Sequence, residues 1–195
     1  MSPKTCRIRL VLIGMATACL SLLPARAQTT GEEAQIELCF NYGCLSRQTV
    51  VFSDDRFGTA TRELAEARDA AEEREHLARA VGRLYALAAE QTPVGADQGG
   101  NYADAGVSGR MDCIDHSRNT SAFLHLLAER ALLRWHRVLP PTRRMRFFLL
   151  QHFSAQIEET EGGGRYVVDS WFVDNGEPAV ILTLEDWKRG GGPDV

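Results

Sequence analysis

This chain has no surplus of positive charge: 22 lysines and arginines stand against 26 aspartates and glutamates. Such a balance argues against nucleic acid or an anionic membrane surface as the main partner. A long apolar run is missing too, and the one candidate, residues 10–23, is too short to span a bilayer comfortably. Cysteine is scarce, with five in all, and no second Cys/His pair accompanies Cys39 and Cys44 at zinc-ligand spacing. There are no internal repeats and no sign of a second domain.

What is present begins with a leader. Lys4, Arg7 and Arg9 precede the apolar run, and Ala25-Arg26-Ala27 supplies a small-x-small cleavage site before Gln28. Residues 1–27 therefore read as a signal peptide, with an uncleaved anchor as the alternative. Export to the periplasm or beyond follows, with no stable membrane insertion after cleavage. Residues 28–195 make one domain of ordinary size. The leader takes four basic and no acidic residues with it, leaving 18 basic against 26 acidic. Arg134, Arg137, Arg143, Arg144 and Arg146 cluster around Pro140-Pro141 and read as a solvated loop; the alternative is a site for an acidic substrate group.

The exported part keeps Cys39, Cys44 and Cys113. In an oxidising compartment Cys39-Phe-Asn-Tyr-Gly-Cys44 forms a small-loop disulfide most simply, with Gly43 easing the turn. That leaves Cys113 unpaired, and an odd cysteine in an exported protein suggests a reactive thiol.

Residues 28–35 are polar and read as loose, and 48–52 as a short strand. From 61 to 91 the chain is rich in Ala, Glu, Arg and Leu, with Leu77, Val81, Leu84 and Leu87-Ala88 at helical spacing. One long amphipathic helix is expected there, its charges forming the solvated face. Residues 92–112 are a glycine-rich loop whose length suggests a functional role. A second helix is expected from Cys113 to about 130, with Asp112 as N-cap. Strands follow over 135–139, 146–157, 165–173 and 179–182, then a helical turn over 184–187. Helices first and an antiparallel sheet afterwards is an α+β arrangement.

The chemistry centres on Cys113, His152 and Asp169. A cysteine at a helix N-terminus feels the positive end of the dipole, which favours its thiolate. If the hairpin over 158–164 centres between Thr160 and Glu161, His152 lies opposite Asp169 and Ala155 opposite Tyr166. A carboxylate so placed can fix the tautomer of an imidazole, and a helix packed across the sheet can bring the thiol to that base. Backbone donors at the helix start, and Gln98 or Asn101 from the preceding loop, are candidates to hold an oxyanion.

These residues resemble the transglutaminase-like or papain-like cysteine hydrolases, most of all the bacterial transglutaminase-like cysteine peptidases. Cys113-Ile-Asp115, Leu126-Leu127, His136-Arg-Val138, His152-Phe-Ser-Ala-Gln-Ile157 and Tyr166-Val-Val-Asp-Ser-Trp171 carry the likeness over about a third of the chain. The resemblance implies a transglutaminase-like (papain-like) core, with Cys113 as nucleophile, His152 as general base and acid, and Asp169 as orienter. It implies a thioester acyl-enzyme on a protein or peptide of the cell envelope, with no cofactor and no metal. Hydrolysis and amine transfer both stay open, and a catalytically silent, partner-binding domain of the same fold is the alternative.

Neighbouring residues receive plainer readings. Asp115 is a first-turn carboxylate favoured by the dipole; a rival base or metal ligand at His116 is only the minor alternative, since no further ligands are spaced for it. His125 and His136 are ordinary surface or core residues. Trp171 and Phe172 are core, with Trp171 sharing the face of Asp169, and Asp174-Asn-Gly is a turn rather than a calcium loop.

Overall fold

Ala34, Ile36, Leu38 and Phe40 are buried while Gln35 and Glu37 face water, the period of two that marks a strand with one wet side. They build β1 (Ala34–Phe40), which pairs antiparallel with β2 (Ser46–Phe52). The computed structural model describes residues 33–146 and 150–193; the leader expected over 1–27 lies outside them. The ordered strand thus starts inside the stretch expected to be loose, and a hairpin precedes the helices.

The single helix expected over 61–91 is divided. Helix α1 (Asp54–Thr61) runs into a 3-10 segment (Arg62–Glu66), and α2 (Ala70–Ala89) starts afresh. Asp69 makes the break: its backbone is extended and its carboxylate accepts from Glu72 N at 2.8 Å, an N-cap in place of a helical residue. Leu77, Ala80, Val81, Leu84, Tyr85 and Ala88 then form the buried stripe. Glu73 lies on the same stripe, one turn before Leu77, and is a fully buried carboxylate.

Helix α3 (Cys113–Glu129) begins at the cysteine. After it come β3 (His136–Arg146), β4 (Leu150–Glu159), β5 (Arg165–Asp169), β6 (Val180–Thr183) and the short α4 (Leu184–Lys188). The four strands form one antiparallel sheet in sequence order. The architecture is α+β. Among the described residues no helix is long and apolar enough to cross a membrane.

The basic patch is not a solvated loop. Pro140 and Pro141 fall at an irregularity of β3 between Leu139 and Thr142, and β3 is an edge strand, where missing N–H donors are tolerated. Arg144 is buried and donates to the carbonyls of Trp187 and Gly191, both at 2.7 Å. Arg137 pairs with Glu158, and Arg134 donates to the carbonyls of Ala65 and Ala67.

Two apolar clusters lie on the two faces of the sheet. Ala155, Ile157 and Val168 join Phe123, Leu124 and Leu127 of α3 and the first hairpin in the main core. Val167 joins Trp171, Phe172 and Trp187 in a smaller one. Successive strand residues point to opposite faces, so His152 and Asp169 share the face of Val167, away from the body of α3.

Candidate functional site

Cys113 is the first residue of α3 and is half-buried. Asp112 caps the helix, its Oδ1 accepting from Ile114 N and Asp115 N at 2.9 Å, while Asp115 Oδ2 accepts from Asp112 N at 3.3 Å. This reciprocal capping box fixes the first turn. The β4–β5 ladder runs only as far as Ala155 opposite Val168. Beyond that end the Cys113 sulfur meets β4, 4.0 Å from the Gln151 carbonyl oxygen and in contact with the Phe153 amide. The thiol therefore touches the backbone on both sides of His152.

The register differs from the expected one. Ala155 faces Val168 rather than Tyr166, so each partner is displaced by two and the hairpin centres one residue further on, between Glu161 and Gly162. An even displacement preserves facing, and His152 and Asp169 become diagonal neighbours. Their side chains still meet, His152 Nε2 lying 2.7 Å from Asp169 Oδ2. Both are buried. With Nε2–H donated to the carboxylate, Nδ1 is left as the basic nitrogen.

Asp169 serves two further donors. Trp187 Nε1 reaches Oδ2 at 2.8 Å and the Trp171 amide reaches Oδ1 at 3.3 Å. The His152 ring lies among three aromatic rings, with centroids at 4.8 Å to Trp171, 5.5 Å to Phe172 and 5.7 Å to Trp187. Trp171 is both core and wall, since the exposed Tyr102 covers its other side at 4.8 Å. The roles of Trp187 and Arg144 were not legible in the sequence. Neither belongs to the quoted motifs, and only the antiparallel return of β3 sets Arg144 opposite His152.

The loop before Cys113 is tied to the site at each end. Gly100 N donates to the Trp171 carbonyl at 2.8 Å, and Gly99 N to Asp174 Oδ1 at 2.9 Å. Asp174 thus holds a turn. At the other end Gly109, at φ +91°, donates to Asn41 Oδ1 at 2.8 Å. Gln98 is exposed, and Asn101 Oδ1 accepts from Ala103 N at 3.0 Å.

Cys39 and Cys44 are disulfide-bonded, which removes both thiols from any zinc site. The four residues 41–44 all have positive φ, from 58° to 67°. Their amides form a small anion-binding concavity: Gly43 N donates to Asp112 Oδ2 at 3.1 Å and Cys44 N to Asp115 Oδ1. Asn119 of α3 holds Cys39 by both its N–H, at 2.8 Å, and its carbonyl, at 2.7 Å.

No family model, no curated protein and no solved structure matches this chain. The site is argued from its own chemistry. A groove of about 720 Å³ between α1 and α2, floored by Glu63 and Arg83, does not include the Cys113 region.

The electrostatics correct one expectation. Burial pushes the Cys113 thiol up from its ordinary value, with the carboxylates of Asp112 and Asp169 adding to the effect and the Phe153 amide opposing it. The helix start alone does not hold this thiol ionised. Asp115 is the expected first-turn carboxylate but is fully buried, and burial followed by the Asp112 charge raises it from 3.8 to about 6. An unfolded aspartate ionises near ~3.9. The stabilising contribution of protonated, folded Asp115 is therefore complete below about pH 4 and is lost as pH rises to about 6. Asp115→Asn has no proton to lose. It should gain on the wild type by about 2 kcal/mol between pH 4 and pH 6, read from urea midpoints; a constant difference across that window would refute the assignment.

Proposed function

We propose that the chain is an exported thiol-dependent peptidase or amidase working through a Cys113–His152–Asp169 triad. The observation that carries this reading is the buried Asp169 carboxylate on His152 Nε2 at 2.7 Å, on the strand whose backbone the Cys113 sulfur touches. His152 takes the thiol proton, the thiolate attacks a carbonyl carbon, and the imidazolium returns the proton to the leaving amine. The resulting thioester is released by water or by an amine. Backbone N–H groups at the start of α3 are the natural donors to the oxyanion.

Order and spacing of the three residues support a transglutaminase-like (papain-like) core, and the Cys39–Cys44 bond suits a periplasmic or secreted protein. The substrate class is a protein or peptide of the envelope. The specific observation favouring the second reading, a catalytically silent partner-binding domain, is the half-buried thiol pushed up in pKa.

Alkylation of Cys113 by iodoacetamide, followed by mass shift across pH on the mature chain, separates the two. A thiol served by His152 should titrate at least about one unit below the thiol of His152→Ala, about tenfold in rate near neutral pH. Superimposable curves for the two proteins would leave the silent domain as the answer.

A further inference from the structure

Behind the triad lies a buried chain of polar side chains that the reaction does not use. Asp97 sits just past a 3-10 turn (Pro93–Ala96), at the start of the glycine-rich loop, and is 3 % exposed. Its Oδ1 accepts from Met111 N at 2.8 Å and its Oδ2 lies 2.9 Å from His116 Nε2. One carboxylate thus grips the chain two residues before Cys113 and three residues after it. On the other side of the imidazole, His116 Nδ1 meets Ser170 Oγ at 2.8 Å. Ser170 Oγ also meets Thr120 Oγ1 at 2.8 Å, and Thr120 meets Tyr85 OH at 3.1 Å. All five side chains are buried.

The contacts admit a consistent direction. His116 donates through Nε2–H to Asp97, so its Nδ1 accepts from the Ser170 hydroxyl. Ser170 then accepts from Thr120, and Thr120 from Tyr85. Ser170 follows Asp169 directly, and neighbours at a strand end point to opposite sides. Asp169 faces His152 while Ser170 faces α3. His116 and Thr120 therefore both bond the helix carrying the nucleophile to the strand end carrying the orienting carboxylate, and only His116 also reaches Asp97.

We propose that Asp97, His116 and Ser170 form a positioning relay that sets the Cys113 turn against the His152–Asp169 pair. This rests on the triad reading above. The relay touches no substrate and acts through the placement of the thiol and of Asp169. A shift of about 1 Å at such a distance suffices to uncouple a nucleophile from its base. His116 is thus assigned a role other than a rival base or metal ligand, since both ring nitrogens are taken by neighbours.

The test is the Cys113 alkylation–pH curve of Ser170→Ala, Ser170→Thr, His116→Gln and His152→Ala, each with its thermal midpoint. Ser170→Ala removes one oxygen, and a glutamine at 116 reaches Asp97 but not Ser170. Both should move the curve towards that of His152→Ala by about half a unit, about threefold in rate near neutral pH. Ser170→Thr, which keeps the hydroxyl, should return it towards the wild type. If His116→Gln does not fold, Ser170→Ala decides alone. A lowered midpoint with an unmoved curve would make these residues structural only and overturn the relay. If His152→Ala leaves the curve unmoved, the triad reading fails first and the relay falls with it; if only the relay variants leave it unmoved, the triad stands and the relay does not.

Discussion

Cys113→Ala should abolish turnover of an activated ester or peptide surrogate while leaving the chain folded. The side chain is half-buried at a helix start, so losing one sulfur removes little packing, and the Asp112 cap is untouched. His152→Ala should be nearly as severe, because both the attack and protonation of the leaving group pass through the imidazole. Asp169→Asn should be milder, about 10²–10⁴-fold, since it misorients the base rather than removing it. It also sets an amide against the donors His152 Nε2 and Trp187 Nε1, both now served by Oδ2, so the variant should lose some stability as well as rate. Cys113→Ala combined with His152→Ala should cost little beyond Cys113→Ala alone, as members of one catalytic unit are not additive. Full activity in Cys113→Ala would end the thiol mechanism.

Glu73→Ala should produce the largest loss of stability. Glu73 is fully buried in the first part of α2, and its carboxylate is the meeting point for the chain entering β3. Arg134 N reaches Oε2 at 2.7 Å, Trp135 N lies 3.2 Å from Oε1, and His136 Nδ1 lies 2.8 Å from Oε1. Alanine would leave two backbone amides and a buried imidazole without acceptors. Removing one partner of a buried, multiply bonded ion costs about 3–5 kcal/mol, a large share of the ~5–15 kcal/mol holding a domain together. Urea denaturation should show the midpoint falling with little change in slope. Glu73→Gln, which keeps the volume and one acceptor oxygen, should fall between the two. A Glu73→Ala midpoint equal to the wild type would mean that water enters and serves the orphaned donors.

Glu73 also marks where sequence reading stops. On a helical wheel it falls on the same stripe as Leu77, Ala80 and Leu84, so its inward place was legible, but its partners at residues 134–136 were not. The same limit hid Arg144, whose place opposite His152 depends on carrying β3 through two prolines. What could be read was local. The capping box at Asp112, the stripe of α2 and the order Cys113, His152, Asp169 depend on neighbours in sequence or on strand parity. Parity survived a register displaced by two because the side-chain period is two. The alternation of 34–40 was equally legible, yet the expectation over it holds only a loose stretch followed by a disulfide loop, and misses the strand. His116 stands at the fourth position of α3, on the inward stripe with Ser117 and Thr120. Its partners Asp97 and Ser170 lie 19 residues before it and 54 after it, and no local pattern joins them.

The turn at 41–44 has a consequence in time. Three of its residues are not glycine, and each costs about 1–2 kcal/mol in the left-handed region. Local preference therefore works against the very conformation whose amides brace Asp112 and Asp115. The Cys39–Cys44 bond closes that turn, and a bond between sulfurs is made after the polypeptide itself. Completing the clasp at the first turn of α3 thus depends on an oxidant supplied by the surroundings. On the proposed function, a freshly made chain in reducing surroundings carries all three triad residues yet lacks the clasp beside its nucleophile. Maturation of the thiol at 113 is then tied to the loss of the other two.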